Sequence, residues 1–152
     1  MPITRRDLTF VAITALVMCI PMAIIARHQQ KPELPSSAFD HASITMVKTS
    51  VGEKRQFCDA PTKTLEQLEI HETTLNPGQM AHPPHQHPEE ELTLVRQGTV
   101  EVLVNGELKR VGPGSVVFQA ANTLHSIKNV GTDVAIYHAI KWRTDKTGTA
   151  AK

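Results

Sequence analysis

The sequence predicts an all-β chain built as one antiparallel sandwich or barrel, and three observations carry that prediction. Short runs of alternating apolar and polar residues recur from about residue 44 onward. Tight-turn residues separate these runs, and no convincing helix interrupts them. At 152 residues there is room for one domain of ordinary size. A formal net charge of +1 gives no basic surface for nucleic acid, and 4% aromatic residues leave little to stack on bases.

The N-terminus breaks the pattern. Arg5-Arg6 precedes Phe10 to Ala26, a run of 17 residues without a charge, which is the basic and then apolar form of an export signal. "TRRDLTF" resembles the twin-arginine translocation motif, with Leu8 in the first hydrophobic slot and Thr9 departing from the second. The resemblance implies export of an already folded protein to the periplasm or beyond. Left uncleaved, residues 10–26 would instead anchor the chain to a membrane, although they are slightly short of the roughly 20 residues that span a bilayer. Residues 1–26 are therefore read as an export signal or anchor. Residues 27–43, polar and proline-bearing, read as a linker, 44–142 as the domain, and 143–152 as a disordered tail.

Within the domain each element has its own signal. "LEQLEIHETTL" opens like a helix, but Ile70 to Leu75 alternates, carries two threonines and is stopped by "NPG", so its second half reads as a strand. "ELTLVRQG" alternates up to Gly98. Val100, Val102 and Val104 recur at period two before Asn105-Gly106, the pair favoured in a two-residue type I′ turn because both positions need positive φ. A returning strand completes that hairpin. "GPG" at 112–114, "AAN" at 120–122 and "GTD" at 131–133 then separate "SVVFQ", "LHSIKNV" and the long final strand "VAIYHAIKW". The count comes to seven or eight strands.

The chemistry is concentrated in "HPPHQHPEEE", residues 82–91. Side chains at i and i+2 of a strand share a face, so His85 and His87 can converge, and Glu91 has the same parity across the bend at Pro88. Two imidazoles and a carboxylate suit non-haem iron or, with more histidine, zinc. A further donor has to come from elsewhere in the fold, and His125, early in a strand after a turn, is the best candidate.

These residues carry a resemblance. "GQMAHPPHQHPEEELTLVRQG", 78–98, resembles the first cupin motif, with His85, His87, Glu91 and Gly98 on its positions and one extra residue ahead of His85. Glu90 would give the wrong gap on both sides. "GSVVFQAANTLHSIKN", 114–129, resembles the second motif through Gly114, His125 and Asn129. Ala120 and Asn122 replace its proline and glycine, and Asn tolerates positive φ. The match spans about residues 65–142 and implies a type-2, RmlC-like cupin: a double-stranded β-helix, or jelly-roll, barrel that is usually a homodimer. It further implies one divalent metal (iron, manganese, nickel, zinc or copper) held by His85, His87, Glu91 and His125.

Other residues are read beside these. In the resembling family the Leu75 position points inward. His71 and Thr73 share its parity, which makes His71 the candidate catalytic acid, base or substrate donor. His82 falls outside the motif and reads as a solvated loop residue, and Glu89 and Glu90 as solvent-facing. His138 and Trp142 read as core or dimer contacts, and Cys58 as a buried small hydrophobe. The function implied is an exported metalloenzyme acting on a small organic molecule. Dioxygenase is the leading reaction type, and isomerase, lyase and decarboxylase chemistry use the same ligands. The alternative is a non-catalytic periplasmic module that binds or senses a small ligand.

Overall fold

A computed structural model describes residues 31–144. The expected signal or anchor and residues 145–152 of the expected tail lie outside the described residues. Among the described residues nine strands follow a 3-10 turn at His41–Ser43: β1 Met46–Thr49, β2 Gly52–Ala60, β3 Gln67–Leu75, β4 Glu90–Gln97, β5 Val100–Val104, β6 Glu107–Val111, β7 Val116–Gln119, β8 Ser126–Asn129 and β9 Ala135–Arg143. All pairings are antiparallel. Six strands form one sheet in the order β1-β2-β3-β9-β4-β7, and three form the other as β6-β5-β8. Among the described residues no helix is long and apolar enough to cross a membrane.

The expected hairpin is present. Asn105 at φ 51° and Gly106 at φ 81° turn β5 into β6 with the register Val104↔Glu107. The "QLEIHETTL" segment is strand throughout. Its opening resembles a helix only because Leu65, Leu68 and Ile70 lie close together; once paired with β2 and β9, strand alternation prevails. Gly98 is required rather than merely tolerated. Its φ is 79°, and a Cβ there would lie 2.8 Å from the Ala135 Cα, so only glycine lets the end of β4 pass β9.

The two sheets face each other across a core to which both contribute. Val95, Val117 and Ala135 of the large sheet meet Val100 and Val102 of the small one. Leu75, Tyr137 and Ala139 form a second cluster against Ile127. Each fully buried Leu or Val stabilises the fold by about 1.5–3 kcal/mol.

A polarity gradient runs along the inward face of the large sheet. On β3 the inward residues run Leu75, Thr73, His71, Glu69; on β9, Ala135, Tyr137, Ala139, Lys141; on β4, Val95, Thr93, Glu91. The register aligns these series, placing His71, Ala139 and Thr93 in one cross-strand row and Glu69, Lys141, Glu91 and Gln119 in the next. One end of the space between the sheets is thus packed with hydrocarbon. The other end is lined with groups that need partners.

Asn129 is wholly buried and joins three segments. Its amide donates to the Leu75 carbonyl at 3.0 Å and the Asp133 carbonyl at 2.8 Å, and its Oδ1 accepts from the Gly131 N–H at 2.9 Å. Glu72 lies on the outer face, 2% exposed. Its carboxylate meets His41 at 2.8 Å, Arg55 at 3.4 Å, His138 at 3.6 Å, and Arg96. Residues 33–43 contact the domain: Leu34 N–H donates to the Pro61 carbonyl, and Phe39 meets Phe57 edge-on.

Candidate metal centre

At the polar end the backbone joins two distant loops. His85 and His125 exchange both main-chain hydrogen bonds, at 3.0 and 2.9 Å, and Asn122 N–H donates to the His87 carbonyl at 2.8 Å. Asn122 holds the turn at φ 57°, as its place in the second motif requires. These bonds bring three imidazoles together. The nearest ligand atoms of His85, His87 and His125 all lie within 4.8 Å of one another, and ring centroids are 4.6 Å apart for His85–His125 and 4.8 Å for His87–His125.

Each ring is oriented by a carbonyl two residues away. His85 Nδ1 lies 3.2 Å from the Pro83 oxygen, His87 Nδ1 3.1 Å from that of Glu89, and His125 Nδ1 2.8 Å from that of Thr123. A carbonyl only accepts, so Nδ1 carries the proton in all three neutral rings and Nε2 keeps its lone pair. The Nε2 atoms of His87 and His125 are buried and have no hydrogen-bond partner. Glu91 Oε2 stands 3.5 Å from His87 Nε2, and its other oxygen accepts from Thr93 Oγ1 at 3.1 Å.

Buried acceptors that face one another are stabilised by a proton or a metal cation between them. Glu91 raises His87 above its ordinary value despite burial. Burial acts to raise Glu91, yet His87, His125 and Thr93 hold it below the usual carboxylate range. Burial, and then the neighbouring His125, lower His85. Three oriented imidazoles with free Nε2 atoms beside a carboxylate have the donor chemistry of a divalent transition-metal site.

The centre opens into a cavity of about 380 Å³. His71 lines it, with Nδ1 3.0 Å from Glu69 Oε1. His82, an exposed loop residue as expected, stands at the mouth of the cavity with its ring 5.3 Å from that of His85. Glu89 and Glu90 are half-buried rather than solvent-facing. Glu89 approaches His87 and Arg143, and Glu90 accepts from the Trp142 indole at 2.8 Å. His138 and Trp142 lie away from the cavity, and Cys58 is buried, its thiol pushed up by burial.

Lys54 and Lys141 also line the cavity, and sequence reasoning missed both. Strand parity places Lys141 with Tyr137 and Ala139, but only the register shows that this face is inward.

Two facing antiparallel sheets with a histidine cluster at one end define a small barrel of the cupin type. A family model described as the cupin domain matches residues 71–141. Solved structures share the fold. KdgF from Halomonas sp. is 22% identical, covering 72% of this chain and 98% of that one at a TM-score of 0.58. An RmlC-like cupin from Shewanella frigidimarina is 15% identical, covering 75% and 97% at 0.59. A predicted oxalate decarboxylase from Thermotoga maritima is 21% identical, covering 70% and 99% at 0.57. No curated protein matches the chain.

Proposed function

We propose that the chain is a metal-dependent enzyme acting on a small organic molecule, with one divalent transition metal held by His85, His87, His125 and Glu91. The observation that carries this reading is the pair of buried, unpartnered Nε2 atoms of His87 and His125, with the Glu91 carboxylate 3.5 Å from the first. A metal bound there would supply Lewis-acid or redox chemistry to substrate oxygens. The chain's own part is orientation and exclusion of water. Backbone carbonyls fix the three rings, Thr93 fixes Glu91, and the Leu75–Tyr137–Ala139 cluster closes the inner end of the cavity. His71 Nε2, with its ring held by Glu69 through Nδ1, is positioned to take or return a proton.

Dioxygenase chemistry leads the reaction types. Decarboxylase and isomerase chemistry are kept in view because proteins of this fold carry those descriptions. The arginine pair and the apolar run at 10–26 support export, which cell fractionation tests.

Elemental analysis of the purified chain is expected to find one equivalent of metal, and His87→Ala to abolish it. Oxygen uptake with a panel of phenols, sugars and carboxylic acids tests the dioxygenase reading, and product analysis with the same panel tests the others. Added metal should raise the unfolding temperature, since 100-fold excess over Kd stabilises by about 2.7 kcal/mol. Iron, manganese, nickel, zinc and copper all leaving the unfolding temperature unchanged would refute the metal centre. Tight ligand binding without turnover would make the chain a binding module.

A further inference from the structure

We propose that the cavity selects an anionic substrate, a small molecule bearing a carboxylate that Lys141 and Lys54 receive beside the histidine cluster, with Glu69 holding both ammonium groups in place. The substrate class rests on the reading of the site given above; the lysine arrangement is independent of it. Lys141 pairs in register with Glu91 on one side and Glu69 on the other, so its Cβ lies about 5 Å from each. It turns to Glu69, with Nζ 2.6 Å from Oε2, while Lys54 Nζ reaches Oε1 of the same carboxylate at 3.5 Å. That carboxylate also takes His71 Nδ1. One anion therefore anchors two lysines and a histidine.

The charges do not balance on the cavity side. An ammonium has three donors, and Glu69 takes one from Lys141. Besides Glu91, the acidic residue lining the cavity is Glu53. It precedes Lys54 on β2, and alternation directs its side chain to the opposite face of the sheet. If Glu91 is committed to a metal, the two lysines share the single carboxylate of Glu69, which leaves one positive charge unmatched at the cavity. The side chains of Lys141 and Lys54 are 23% and 39% exposed, so an entering anion would find the inner one largely stripped of water. Both lysines line the same cavity as His82, His85, His87 and His125. A neutral sugar or phenol can accept from the remaining donors of Lys141 but leaves the excess positive charge unmatched, and a charge-assisted bond to a carboxylate is about twice as strong as a neutral one.

The test is calorimetric titration of the metal-loaded and metal-free full chain with malonate, succinate and glutarate, each against its neutral diamide. At least one dicarboxylate is expected to bind tenfold or more tighter than its diamide, and the preference to shrink as salt rises. Lys141→Met and Lys54→Met should each reduce dicarboxylate affinity at least tenfold with metal content and diamide affinity unchanged, and Lys141→Arg should restore part of the loss. Unfolding temperatures of all variants exclude a folding effect. Equal affinity for acid and diamide, no binding of any dicarboxylate, or affinity unmoved in both methionine variants would overturn the proposal while leaving the metal centre standing. Lysine-dependent dicarboxylate binding by a chain that takes up no metal would uphold the anion site and remove the metal centre.

Discussion

Replacing Asn129 by alanine tests how the second motif holds the barrel together. The side chain is wholly buried and makes three hydrogen bonds, to the Leu75 and Asp133 carbonyls and from the Gly131 N–H. Each bond contributes a net ~1 kcal/mol, and a partner left buried without a substitute adds to the loss. The expected destabilisation of Asn129→Ala is about 3 kcal/mol. With a urea m-value of about 2 kcal/mol/M, the unfolding midpoint falls by about 1.5 M at constant m. Asn129→Asp keeps the Oδ1 acceptor but turns an oxygen towards two carbonyls. Burial would raise the introduced carboxyl above its ordinary ~3.9 in the folded state. Stability of that variant should therefore fall as pH rises from ~3.9 towards the folded value, where the alanine variant shows no such dependence. A midpoint shift below about 0.5 M for Asn129→Ala would refute the claim that these bonds join the three segments.

Glu72→Gln removes the carboxylate shared by His41, Arg55, Arg96 and His138. Because His41 and Arg96 are about half exposed at 48% and 51%, the loss should be about 2 kcal/mol, below the roughly 3–5 kcal/mol of breaking a fully buried pair. Burial acts to raise Glu72, but His41, Arg96 and His138 outweigh it and hold the carboxyl below its ordinary value. The stability it confers is complete above the unfolded value of ~4.3 and is lost as pH falls through the folded one. Acid unfolding of the glutamine variant should lack that limb, and an unchanged acid profile would contradict the assignment. Gly98→Ala should lower stability by about 3 kcal/mol in thermal unfolding, since positive φ and backbone overlap add. Gly106→Ala, also at positive φ but with nothing within 4 Å of the added carbon, should lose only ~1 kcal/mol; equal losses would dismiss the close approach at Ala135.

Strands whose inward residues are apolar were legible in the sequence. The Val100–Val111 hairpin, the final strand and β4 stand where alternation and turn residues place them. β2 carried no such mark, because the inward residue at its start is Lys54, which lines the cavity instead of packing in the core. The convergence of His85, His87 and His125 was legible from spacing in two motifs. Glu69, Lys54 and Lys141 were not, since their meeting depends on the register of β3 against β9 and on a bulge between Gln56 and Cys58.

The reciprocal main-chain bonds between His85 and His125 have a consequence for ion choice. Residues forty positions apart are brought together by the fold itself, so the entropy of gathering them is spent before any ion arrives. A cation entering such a cage does not have to fold the protein around itself. Its affinity then reflects how well its radius and preferred bond angles suit donors already set in place. Rings locked by carbonyls resist adjustment, so ions of unlike geometry should differ more in occupancy here than on a flexible histidine-rich loop of the same composition.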